Sequence, residues 1–170
     1  MKDCSKFLTI VAALLLSGLA VAQTPPKADP STVFCTFEDG NEVSLRYMAV
    51  DANRKNDPPA GKAWMPGGAP ILLFTPTEII VGTTTVPTGA YSVYPIRNRN
   101  DWTLVVNKNV TQGSGYDEQQ DLARVNMQTT KLPTGGTKPL NLTLGHTSAK
   151  VCSLQLVYAD SAAWTDLKEK

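Results

Sequence analysis

The residues of this chain whose types could do chemistry are few. His146 is the single histidine among 170 residues, so any triad or acid–base arrangement built on imidazole must pass through it. It falls in Gly145-His146-Thr147-Ser148, which reads as a turn between two strands, and no Gly-x-Ser-x-Gly elbow supplies a nucleophile. One histidine with cysteines at 35 and 152 lacks the paired ligand spacing of a zinc site, and no cofactor is expected. Asp117, Glu118 and Asp121 form a compact carboxylate group. Such a group offers oxygen ligands to calcium, though without the EF-hand pattern, or a glycosidase pair if two carboxyl groups stand the right distance apart. The plain alternative is a set of solvated charges in a glycine-containing loop. No catalytic residue is assigned.

The aromatic side chains offer binding rather than catalysis. Trp64, Met65, Tyr91, Tyr94, Trp102 and Tyr116 lie on or beside expected loops and hairpins, where aromatic platforms suit a glycan, a peptide or a protein. Core packing accounts for Tyr91 and Trp102 equally well, and Trp64 with Met65 can plug an end of the core.

The elements that must position these residues are strands. Residues 86–107, VPTGAYSVYPIRNRNDWTLVVN, are the organising stretch. Pro87 and Gly89 occupy the turn positions that suit them, residues 90–96 are strand formers, residues 97–100 are polar, and Trp102, Leu104 and Val106 alternate onto one face. A lone hairpin is marginal in water, so it must pack on other strands. Before it, residues 32–38 and 43–50 form a hairpin about Asp39-Gly40-Asn41, and residues 71–74 and 79–81 are short apolar strands. After it, residues 122–130 alternate as one strand, and residues 140–144 pair with 150–159. Residues 51–70, DANRKNDPPAGKAWMPGGAP, show no period, and loops of that length are usually functional or disordered. The expected fold is all-β, an antiparallel β-sandwich of jelly-roll-like type in a single domain.

Residues 1–22 stand apart. Lys2 and Lys6 precede an apolar run from Phe7 to about Ala20, and Ala20-Val21-Ala22 has the small-x-small form of a signal peptidase site. The run is shorter than the roughly 18 to 20 residues a membrane span needs. The reading is a cleaved export signal at 1–22, a Pro-rich linker at 23–31, a β-sandwich domain at 32–160 and a polar tail at 161–170. A transmembrane segment in the mature chain is not expected, and the location is periplasmic or extracellular. Taking Lys2, Lys6 and Asp3 from 16 basic and 15 acidic side chains leaves 14 of each, a balance that draws the chain to neither nucleic acid nor anionic membrane. Export makes Cys35 and Cys152 a disulfide candidate, the alternative being two small buried hydrophobes. Asn109-Val110-Thr111 and Asn141-Leu142-Thr143 match the glycosylation sequon, a match frequent by chance.

The run WMPGGAP…TTTVPTGAYSVYPIRNRNDWTLVVNK, followed by GYDEQQDLARV, resembles an exported bacterial family, domain of unknown function 2911. In that family a tryptophan loop precedes a Pro-x-Gly-x-Tyr-x-(Leu/Val) turn and strand and a (Glu/Asp)-Trp-Thr strand. The likeness runs from about residue 43 to residue 158 and is strongest from 87 to 108. Members commonly read Trp-Arg-x-Gly-Ala-Asn-Glu after the long loop, a natural polar site. Trp64 and Gly67 match it here, while Met65, Gly68, Ala69 and Pro70 stand where arginine, alanine, asparagine and glutamate would be. The resemblance therefore implies that a site built on those polar residues is lost in this chain.

The missing catalytic set and neutral charge favour a non-enzymatic envelope module that binds a glycan, peptide or protein through residues 51–70 and neighbouring aromatics. The alternatives are a hydrolase, metal-assisted or not, using Asp117, Glu118 or Asp121 with His146, and a purely structural envelope protein.

Overall fold

A computed structural model describes residues 29–99, 101–111, 113–133 and 138–170. The export signal expected at 1–22 and most of the linker at 23–31 lie outside the described residues. Among the described residues twelve strands follow in chain order: β1 (Ser31–Thr36), β2 (Glu42–Tyr47), β3 (Ile71–Thr75), β4 (Ile79–Val81), β5 (Thr84–Val86), β6 (Gly89–Asn98), β7 (Asp101–Asn107), β8 (Asp121–Asn126), β9 (Gln128–Lys131), β10 (Lys138–Ser148), β11 (Val151–Ala159) and β12 (Ser161–Glu169). All pairings among them are antiparallel. The first sheet runs β1-β2-β3-β6-β7-β8; the second runs β10-β11-β12-β4-β5, with β9 also paired to β12. The molecule is all-β with two antiparallel sheets, as the strand patterns required. Within each sheet, runs of consecutive strands are neighbours, an order of meanders rather than the paired Greek keys of the expected jelly roll.

Period-two alternation builds the core. Val43, Leu45 and Tyr47 of β2, Ile71 and Leu73 of β3, and Trp102, Leu104 and Val106 of β7 face Leu140 and Leu142 of β10, Leu154, Leu156 and Tyr158 of β11, and Leu167 of β12 in one buried cluster. The organising hairpin forms as the sequence requires, with β6 and β7 in register from Ser92↔Asn107 to Asn98↔Asp101. Cys35 on β1 and Cys152 on β11 are disulfide-bonded, tying the two sheets together near one edge. At that edge β10 pairs with no further strand among the described residues, yet two of its outward N–H groups are engaged: Leu140 donates to the Val50 carbonyl at 2.8 Å and Leu142 to the Tyr47 hydroxyl at 3.1 Å. Engaging part of an edge in this way makes it a poorer template for another chain.

Three sequence expectations are corrected. Residues 161–170 are not a polar tail: β12 is an inner strand paired with β11, β4 and β9. Its alternation places Ala163, Thr165, Leu167 and Glu169 inward with Asp166 and Lys168 outward, a half-buried strand carrying charges on its wet face. Residues 145–148 are not a turn, because β10 continues through them and reverses at residues 149–150. Residues 122–130 are not one strand; at Met127 the chain leaves β7, to which β8 pairs, and joins β12 through β9. Met127 is buried there, and its N–H donates to the Trp102 carbonyl at 2.8 Å.

Candidate functional site

The long loop 51–70 is fastened to β6. Gly61 donates to the Arg97 carbonyl and Trp64 to the Pro95 carbonyl, each at 2.9 Å, and Ala63 bridges to Ile96. Residues 61–64 thus run as an added piece of strand beside β6, and their side chains alternate accordingly. Trp64 points between the sheets, with its ring 4.8 Å from Tyr158 and 6.1 Å from Trp102. Ala63 and Met65 point the other way and cover a second apolar cluster of Tyr94, Ile96 and Val105 on the outside of the first sheet. Gly67, at φ +67°, lets the following turn close against Met48, whose Cβ would lie 2.8 Å from any Cβ placed at residue 67. Only glycine tolerates both demands. Met65 therefore supplies apolar cover at the position where the resemblance expected arginine.

The six aromatic-loop candidates do not assemble into an open surface. Trp64, Tyr91, Tyr94 and Trp102 are buried, and Met65 and Tyr116 are half-buried. Trp102 donates its indole N–H to Ser161 Oγ at 3.1 Å, and Ser161 in turn donates to the Tyr158 carbonyl at 3.1 Å. The Arg97 guanidinium lies 5.5 Å from the Trp102 ring centre. Tyr91 donates to the Pro87 carbonyl at 2.9 Å, and Tyr116 packs edge-on against Tyr94 with ring centres 4.9 Å apart. Tyr91 and Trp102 each find a partner for the polar tip within their own neighbourhood, which is how aromatic residues with a polar handle behave in a core.

The carboxylates are likewise engaged. Asp117 caps a 3-10 turn (Glu118–Gln120), accepting from the Gln119 N–H at 3.0 Å. Asp121 accepts at one oxygen from Asn107 Nδ2 at 2.7 Å, and at the other from the Tyr116 hydroxyl at 2.7 Å and Arg124 Nε at 2.9 Å. Arg124 also reaches Glu118 at 2.9 Å and the Tyr116 hydroxyl oxygen. The network holds the loop 108–120 against the edge of β8. His146 sits on β10, beside β1, whereas these carboxylates adjoin β8, beside β5. The two lie at opposite edges of the molecule and share no site. Among the described residues, no three of the His, Cys, Asp and Glu side chains gather as a metal cluster.

The network leaves a signature at high pH. Burial, then the hydrogen bond to Asp121, push the Tyr116 phenol up to about 12. Burial, then the charge of Asp57, whose carboxylate accepts from Tyr158 at 3.3 Å, push Tyr158 up to about 12. An unfolded tyrosine ionises near about 10. Between those values the folded chain keeps protons that the unfolded chain releases, so stability present below pH about 10 is lost as pH rises toward about 12. Absorbance titration at the tyrosinate band is expected to show late-ionising phenols, Tyr116 and Tyr158 together with Tyr91 and Tyr94, which burial also raises, and Tyr116→Phe to remove one of them. Full ionisation of all phenols near pH about 10 without unfolding would contradict the network.

The surface that sequence reasoning missed is on the second sheet. Thr143 of β10, Gln155 of β11 and Trp164 of β12 stand in one cross-strand row, with Gln128 of β9 beyond Trp164. The next row holds Gly145, Ser153 and the exposed Asp166 of β12. Thr143, Gly145, Ser153, Gln155 and Trp164 line an open groove of about 400 Å³. Trp164 is half-buried, while Thr143, Gly145 and Gln155 are exposed. None of the polar side chains in the groove makes a hydrogen bond among the described residues. A second depression of about 180 Å³, at Arg97, Asp101, Lys131 and Asp160, carries charges that already pair, Asp160 lying 3.3 Å from Arg97 and 3.8 Å from Lys131.

No helix among the described residues is long and apolar enough to cross a membrane. Comparison with curated proteins gave no match, and comparison with solved structures gave none. The profile of the family described as Protein of unknown function (DUF2911) matches residues 30–164, from the start of β1 into β12, and the chain belongs to that family.

Proposed function

We propose that the protein is an exported, non-enzymatic binding module of the cell envelope, and that it binds through the outer face of the second sheet around Trp164. The observation that carries this reading is the contrast between its two sets of polar groups. The loop carboxylates are tied into hydrogen bonds that hold a loop in place, whereas the groove residues Thr143, Ser153, Gln155 and Trp164 make no side-chain hydrogen bond among the described residues and are exposed or half-exposed. A volume of about 400 Å³ lies within the range of roughly 300–1,000 Å³ common to small-ligand sites. The apolar run at 7–20 and the disulfide support export, since such bonds persist in oxidising compartments.

Hydroxyl-radical footprinting tests the face directly, because Trp164 is the half-exposed tryptophan while Trp64 and Trp102 are buried. Glycan, peptide and protein fractions of the host envelope are added separately to the mature chain. Suppressed oxidation of Trp164 by one fraction, with Trp64 and Trp102 unlabelled throughout, is the expected result. Unchanged Trp164 oxidation with all three fractions would sink the reading.

A further inference from the structure

We infer that the groove over Trp164 takes a neutral pyranose chain. The inference rests on the binding face proposed above and names the chemistry of its ligand. The groove offers an indole, two hydroxyls and a carboxamide, and its lining has no ionisable side chain. An indole presents a flat apolar surface, and hydroxyls and amides both donate and accept hydrogen bonds. A pyranose is the counterpart of that set: one face of C–H groups rimmed by hydroxyls that donate and accept in turn.

Other ligand classes fit less well. An anion finds no cation in the lining. An acyl chain needs a continuous apolar surface, and Thr143, Ser153 and Gln155 interrupt it. An extended peptide binds a sheet through main-chain hydrogen bonds at an edge, and the groove lies on the face of β10, β11 and β12 rather than along that edge.

The dimensions agree with a saccharide. Neighbouring strands are spaced about 4.8 Å apart, so the row Thr143, Gln155 and Trp164 spans roughly 10 Å across three strands. Gly145 and Ser153 leave a low floor beside that row, with Asp166 at the row's far end outside the lining, and a Cβ added at Gly145 would meet nothing within 4 Å. The backbone there has no positive φ that would strain a side chain. A side chain placed at residue 145 therefore enters the groove without disturbing the fold.

The mature chain is titrated with cellohexaose, xylohexaose, maltohexaose and chitohexaose, followed by tryptophan fluorescence and calorimetry. Saturable binding of at least one is expected. Trp164→Ala and Gly145→Val are each expected to weaken it by about tenfold or more, with the thermal midpoint of Gly145→Val unchanged. Absence of saturation with all four sugars up to about 10 mM would overturn the inference, as would binding that both variants leave intact. If a peptide or protein fraction protects Trp164 from radical oxidation while all four sugars fail, the binding face stands and the saccharide assignment falls. If no fraction protects Trp164, both fall.

Discussion

Replacing Cys35 and Cys152 together by alanine lowers the stability of the fold by about 4–5 kcal/mol in the chain-entropy account of a crosslink. The bond joins residues 117 apart in sequence, so it closes almost the whole domain into one loop and removes much of the freedom of the unfolded chain. The native geometry carries the bond without distortion of the backbone, the Cα atoms standing 6.2 Å apart, inside the usual range of about 4.4–6.8 Å. Both side chains are buried, so the alanine pair also gives up some packing. A domain of this kind holds about 5–15 kcal/mol in all, and a loss of this size moves the thermal midpoint down by roughly 10–20 °C. Calorimetry of the double variant measures it, and reduced wild-type protein should melt near the same temperature. A midpoint within a degree or two of the oxidised wild type would show that the unfolded chain is already restricted there by other means.

The sequence carried the two-sheet architecture wherever a strand was bounded by its own turn. Asp39-Gly40-Asn41 sets the first hairpin, with Asp39 accepting from the Asn41 N–H at 2.9 Å and Gly40 at φ +90°. Val86 to Gly89, read from the sequence as a turn, is instead the link that carries the chain from β5 in the second sheet to β6 in the first. Residues 161–169 were missed because Asp166, Lys168 and Glu169 give a polar composition, and the inward set there is small: Ala163, Thr165 and a single leucine. Glu169 is buried by its position in the strand, next to Asn41 at 3.2 Å, and nothing in its own neighbourhood of sequence says so. The change of sheet at Met127 is hidden for another reason. A chain that crosses between two facing sheets can keep the same residues inward, so Ala123 and Met127 share one unbroken alternation while belonging with different neighbours.

The site was less legible than the fold. Residue type marks Trp64, Tyr91, Tyr94 and Trp102 as large and amphipathic, but only the packing of β6, β7, β11 and the 61–64 segment decides that they are inside. The carboxylates read as free because their partners Tyr116 and Arg124 are ordinary loop and strand residues until the turn at 118–120 brings them together. The groove had no signature at all: three of its residues are threonine, serine and glutamine, contributed by two strands, and its tryptophan lay in the supposed tail. A period-two reading of residues 161–169, which puts Trp164, Asp166 and Lys168 outward, is the signal that would have found it.

Trp64→Ala is expected to cost about 3–5 kcal/mol, the range for emptying an aromatic site in a core. Trp64 is buried, its ring packs between Trp102 and Tyr158, and its backbone N–H helps to hold residues 61–64 along β6. Truncation opens a cavity between the sheets and loosens the piece of chain that carries Met65 over Tyr94 and Ile96. Urea unfolding reports the loss as a lower midpoint, and near-ultraviolet dichroism should report altered packing of Trp102. Trp164→Ala is the contrasting variant: its ring is half-exposed, so stability should fall by only about 1 kcal/mol while ligand binding weakens by about tenfold or more. The pair separates two roles that the sequence left open for one loop. If Trp64→Ala kept its midpoint and Trp164→Ala kept its ligand, the tryptophan loop would be the binding surface and the second sheet a bare wall.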